Sequence, residues 1–202
     1  MIAVWVLAAC VPPPSPVGGG AITLDASAAG DADLRWYDVA GHDVRTLRES
    51  LRTEAPRNDL DEPTLGRTQW SATWRWEGAG EPCAVESVHV DLSLVVWLPR
   101  WTPGPGADPA LIRRWRDYLR ALLGHELGHV ELVREQVEVL EDLLAEASCA
   151  DVDTVGRVGV EAIEDLNLAY DAHTGHGRDQ GARFWTAPEW GAEVEDTAPW
   201  AP

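Results

Sequence analysis

One uninterrupted stretch of apolar periodicity, from about Pro109 to about Ala147, constrains this chain more than any other feature. With about 100° per residue and His125 at zero, Leu111, Trp115, Leu119, Leu122, Val133, Val137, Leu140 and Leu144 fall between about 40° and 120°. Arg113, Asp117, Arg120, Glu131, Glu135 and Glu138 fall on the opposite side. This is an amphipathic helix that must lie on a core. Pro109 suits its first turn. At about 40 residues it outruns the usual globular helix, and Gly124 is the natural place for a break.

Inside this helix stands His125-Glu126-Leu127-Gly128-His129. Positions i and i+4 share a face, so two imidazoles can bind one Zn²⁺. The Glu between them is placed to act as general base towards water activated by the metal. His129 sits at about 40° on the wheel and Glu126 at about 100°. The histidines therefore border the apolar stripe, and Glu126 lies within it. A carboxylate there is costly unless it is paired or put to use. The plain alternative is an ordinary amphipathic helix that carries a His pair. Gly124 and Gly128 each weaken the helix by about 1 kcal/mol relative to Ala. They would admit another backbone or a substrate, or simply allow tight packing.

The remaining pattern is mixed. Leu34–Val39 reads as a strand and Asp43–Thr53 as a short helix with Leu47 and Leu51 inward. Asn58–Arg67 reads as a loop. Thr68–Glu77, with Trp70, Trp74 and Trp76, alternates as a strand. Cys83–Leu98 is the clearest strand, with Val88, Val90, Leu92, Leu94 and Val96 on one face and His89, Asp91 and Ser93 on the other. Its edge, if open, could pair with an extended peptide. Asp151 or Asp153 could cap a second helix that ends near Tyr170. Residues 171–181 read as a polar, Gly-rich turn.

A catalytic zinc usually takes three protein ligands and keeps one position for water. Six residues after His129, where metzincins place a His, stands Glu135, on the solvent side. Candidates for the third ligand are His176 first, then Glu161 or Glu164 with Asp165 nearby, then Asp171 or His173. Gly175 and Gly177 would let the chain turn His176 towards a metal. Asp171 and His173 would otherwise support the site, Asp171 by bonding the far ring nitrogen of a ligating His. Tyr170 is a candidate hydrogen-bond donor to an oxyanion. The alternative for the whole segment is a polar surface turn.

The net charge of −18 argues against nucleic acid and anionic membrane surfaces as partners. Every basic residue is Arg. Ile2–Ala9 is apolar and too short to span a bilayer, which is the pattern of an export signal (residues 1–10). Leu7-Ala8-Ala9-Cys10 resembles a bacterial lipobox, with Cys10 as the lipidated residue, although no Lys or Arg precedes the apolar run. A plain secretory signal is the alternative. Residues 11–32 read as a Pro/Gly/Ala-rich tether. In an exported chain Cys83 and Cys149 most simply form one disulfide, because their spacing matches no zinc knuckle. From Phe184 onward the chain turns acidic, and 185–202, with Trp185, Trp190 and Trp200, reads as a disordered tail.

Several further motifs occur in one order. They are Tyr37-Asp38-Val39-Ala40-Gly41 with Leu47-Arg48-Glu49-Ser50-Leu51, Ala72-Thr73-Trp74-Arg75-Trp76, and Leu98-Pro99-Arg100-Trp101. The zinc motif follows, then Tyr170-Asp171, Thr174, His176-Gly177 and Gln180-Gly181. Together they resemble a family of bacterial secreted proteins catalogued as zinc-dependent proteases of unknown function. The resemblance covers about residues 33 to 184. It implies that His176 matters, without making it a ligand.

These readings converge on an α+β, zincin-like domain over 33–184. A small antiparallel or mixed sheet would pack on a long active-site helix and a second, C-terminal helix. The expected activity is zinc-dependent hydrolysis of peptide bonds at the cell envelope or in the periplasm, on a protein or peptide substrate, with membrane attachment only through a lipid at Cys10. The alternatives are a zinc-containing binding module without turnover and an amidase acting on cell-wall material.

Overall fold

The computed structural model describes residues 21–22, 24, 27–58 and 60–185. The segment read as an export signal, Cys10 and the chain beyond residue 185 lie outside these residues. The described elements are β1 (Asp33–Val39), α1 (Val44–Glu54), β2 (Arg67–Ala79), β3 (Ala84–Trp101), α2 (Pro109–Glu146) and α3 (Val152–Thr174). The architecture is α+β, with a three-stranded mixed sheet in the order β1-β3-β2.

The expected alternation on β3 is present. Val90, Leu94, Val96 and Leu98 are buried, while His89, Asp91 and Ser93 face solvent. β3 is the central strand, however. β2 pairs with it antiparallel, and β1 pairs parallel along Val95–Trp101. Where β1 stops, α2 covers the strand: the Val90 N–H donates to Glu141 Oε1 at 3.3 Å. Of the edge expected on Cys83–Leu98, β1 takes Val95–Leu98, and α2 contributes one side-chain bond at Val90. The outer strands are β1 and β2, because the longest apolar strand buries most when it is paired on both sides.

α1 is held by a capping box. Asp43 Oδ1 accepts from the Thr46 N–H at 2.7 Å, and Leu47 and Leu51 are fully buried. α2 runs 38 residues without a break, and a Cβ at Gly124 would meet nothing within 4 Å. The continuous apolar stripe under the sheet outweighs the local cost of the two glycines. Leu111, Trp115, Leu119, Leu122, Val133, Leu140 and Leu144 all enter the core.

α3 packs along α2 through small residues. Gly159 receives Leu140, and Gly156 receives the ring of Trp74 from β2. Cys83 and Cys149 form the expected disulfide, which joins the β2–β3 turn to the end of α2. The loop it closes, with a sequence separation of 66, stabilises the fold by roughly 4 kcal/mol on the chain-entropy estimate.

The two ends of the domain contribute to the core. Ile22 and Ala29, within the segment read as tether, are buried in the core. Phe184, the last residue of the expected domain, where the chain turns acidic, is 2% exposed and packs edge-on against Trp115 at 5.3 Å. Both segments supply apolar side chains that close the ends of a core too open to be sealed by the regular elements alone.

Candidate metal centre

α2 presents His125, Glu126 and His129 towards the interior, with relative exposures of 4%, 2% and 7%. α3 supplies the facing residues. The helix runs to Thr174, one turn beyond the expected end, so residues 171–174 are not loop. Asn167, Tyr170, Asp171 and Thr174 then stand at i, i+3, i+4 and i+7, on one face against α2. The chain leaves α3 through Gly175, His176 and Gly177, all with positive φ.

Asp171 Oδ1 lies 3.1 Å from His125 Nε2 and 3.1 Å from His129 Nε2. The opposite ring nitrogens face amide oxygens. His125 Nδ1 is 2.9 Å from Gln180 Oε1, and His129 Nδ1 is 2.8 Å from Asn167 Oδ1. Asn167 Nδ2 donates to Ile163 O, which can only accept, so Asn167 turns its oxygen to His129 and His129 Nδ1 carries the proton. Gln180 Nε2 donates to the Tyr170 hydroxyl oxygen, and with the amide in that orientation its oxygen accepts from His125 Nδ1. In neutral imidazoles the two Nε2 lone pairs then point at a carboxylate oxygen. That arrangement repels unless a metal ion lies between them or the rings are protonated and donate from Nε2.

His125, His129 and Asp171 could hold a metal ion, since their ligand atoms all lie within 4.8 Å of one another. A tetrahedral ion with bonds of about 2.0–2.1 Å separates its ligands by about 3.3–3.4 Å, close to the 3.1 Å from Asp171 Oδ1 to each Nε2. The donor set, two imidazoles and one carboxylate, suits zinc.

The electrostatics agree with a cation site. Burial disfavours the charged form of Asp171, yet the three histidines around it hold the carboxyl far below its usual range. Burial works against charging His129, but its bond to Asp171 and the nearby carboxylates leave it above the ordinary imidazole value. Burial pushes the Glu126 carboxyl up, opposed by His125, His129 and the Thr68 hydroxyl. Thr68 Oγ1, on β2, donates to Glu126 Oε2 at 2.8 Å, and Gly66 leaves room for Oε1.

The other expected residues fall differently. His176 does not join the two ring nitrogens. Its side chain is 58% exposed, and its Nδ1 lies 3.5 Å from the outer oxygen of Asp171. The extra turn of α3 brings Asp171 onto the ligand face and carries His176 past it. Asp171 meets the Nε2 atoms rather than the far ring nitrogens, which belong to Gln180 and Asn167. His173 is exposed on α3, and so are Glu161, Glu164 and Asp165.

Tyr170 stacks on His125 with ring centroids 5.2 Å apart, and its hydroxyl points at the α2 backbone, 3.4 Å from His125 O. Its ring packs against both histidines, while its hydroxyl is turned to the helix backbone between the two helices. Gly128 admits that hydroxyl, whereas Gly124 faces open space. Sequence reasoning missed Asn167 and Thr68 and saw Gln180 only as part of a motif. The spacing of Asn167, Tyr170, Asp171 and Thr174 was a usable signal for the first.

A family model described as "Bacterial protein of unknown function (DUF922)" matches residues 34–177, well over half of the chain. The chain belongs to this family. The DUF922 match takes in the two histidines, Glu126, Asp171 and the turn through Gly177, and stops just short of Gln180. No curated protein and no solved structure matches the chain. Among the described residues of this DUF922 protein, no helix is long and apolar enough to cross a membrane.

Proposed function

We propose that this protein is a zinc-dependent hydrolase of amide bonds, acting on peptide or protein substrates at the bacterial cell envelope. The observation that carries the reading is the convergence of His125 Nε2 and His129 Nε2 on one Asp171 oxygen, each at 3.1 Å, with amide oxygens facing both Nδ1 atoms. Three such ligand atoms on two facing helices form a set that could hold a metal ion. His125, His129 and Asp171 would hold the ion, and Gln180 and Asn167 keep the rings in the ligating tautomer. When bound, zinc acidifies a water molecule and polarises a carbonyl.

Glu126 takes a proton from the attacking water and hands it to the leaving amine. Burial keeps its carboxyl a better base than an exposed glutamate, and Thr68 orients it. The accessible side is that of Asp171, whose side chain is 27% exposed beside the more open His176. Thr68 also places β2, an outer strand, next to Glu126, so an extended peptide has an edge to pair with there. Export, with lipidation at Cys10, fits the disulfide and the apolar N-terminal run.

The deep burial of Glu126 favours a second reading, a zinc-holding binding module without turnover. Metal analysis of the purified protein and of Glu126→Gln separates the two, with casein and cell-wall fragments as substrates. The hydrolase reading expects one zinc in both proteins and turnover only in the parent. Cleavage of cell-wall fragments alone would make it an envelope amidase. Equal behaviour of parent and variant on both substrates would refute catalysis.

A further inference from the structure

We propose that His176 is the positioning residue for Asp171, holding its outer carboxylate oxygen so that Oδ1 alone is turned to His125 and His129. The assignment rests on reading those three residues as a metal centre. Two contacts tie His176 to Asp171. Its Nδ1 lies 3.5 Å from Oδ2, and its backbone N–H donates to the Asp171 carbonyl at 2.8 Å.

The backbone around it is costly for a histidine. φ is +53° at His176, between Gly175 at +56° and Gly177 at +76°. Glycine or asparagine adopts that conformation more readily than histidine. A histidine there needs its side chain to be useful, and the group that its side chain meets is Asp171. The same turn presses on the site elsewhere. A Cβ at Gly177 would come within 2.9 Å of the His125 ring, and Gln180 fixes His125 Nδ1. The turn is thus a clamp over two of the three ligands.

The consequence is a choice of binding mode. A carboxylate with both oxygens free can take a metal through both. With Oδ2 held outwards it binds through one, which leaves the fourth position of a tetrahedral ion open. Residues that orient ligands in this way typically change metal affinity about 10–100-fold when lost.

The test uses the full chain with zinc and with cobalt(II), and compares His176→Gly with His176→Asn. Glycine relieves the backbone but removes the side chain. Asparagine tolerates positive φ and carries its amide nitrogen on Cγ, as histidine carries Nδ1. Zinc affinity by chelator competition should weaken about 10–100-fold in the glycine variant, with the metal-free fold no less stable. Its cobalt spectrum should move towards a higher coordination number. The asparagine variant should restore most of the affinity and the parent spectrum. A glycine variant that binds zinc as tightly as the parent overturns the assignment. So does an asparagine variant as weak as the glycine one, since the imidazole itself would then be a ligand. A parent that takes up neither metal removes the centre itself, a result visible before any variant is compared.

Discussion

Gly124 and Gly128 stand one turn apart on the same helix, and the same substitution should have opposite effects at the two positions. At Gly124 a Cβ meets nothing within 4 Å. Alanine there should gain the helix propensity difference, about 1 kcal/mol. At Gly128 a Cβ would come to 2.1 Å from the Tyr170 hydroxyl and 2.6 Å from its Cζ. Neither helix can yield easily, because Gly159 already seats Leu140 and Gly156 seats Trp74. Overpacking of this kind costs about 3 kcal/mol, the upper end of the usual range, so the net loss is about 2 kcal/mol after the propensity gain. The two variants should differ by about 3 kcal/mol, or roughly 6–12 °C in Tm for a domain of this size. Urea and thermal unfolding of the metal-free proteins would measure it. Tyr170→Phe in the Gly128→Ala background should return part of the loss, since it removes the nearest atom. If Gly128→Ala stabilises as Gly124→Ala does, the close approach of α3 to α2 is wrong. The placement of Asp171 over the histidines would then be wrong with it.

Two further outcomes follow from buried or charged groups. The Tyr118 hydroxyl is buried without a hydrogen-bond partner among the described residues, so Tyr118→Phe should be neutral or stabilising by about 1 kcal/mol in chemical denaturation. A loss of more than about 1 kcal/mol would reveal a partner for it. In metal-free protein His129 and His176 sit above their unfolded value of about 6.5, so their contribution is full below that pH and is lost as pH rises through the raised values. Metal-free stability should therefore fall over the range above about pH 6.5, while the Tm gain from added zinc should grow as the ligands lose their protons. A metal-free Tm that rises across that window would contradict the arrangement.

The sequence by itself determined what depends on near neighbours. The i, i+4 placement of His125 and His129, the apolar stripe of α2, the alternation of β3 and the inward Leu47 and Leu51 follow from helix and strand periods. Glu126 inside the stripe was legible for the same reason. The third group facing the histidines was not, because its place depends on where α3 ends and how it rotates against α2. Extending α3 by one turn to Thr174 exchanges His176 for Asp171. The partner on each Nδ1, the place of Tyr170 and the pairing of β1 along part of the β3 edge were likewise decided by packing. They join residues from 38 to 62 positions apart, and no local period encodes such contacts.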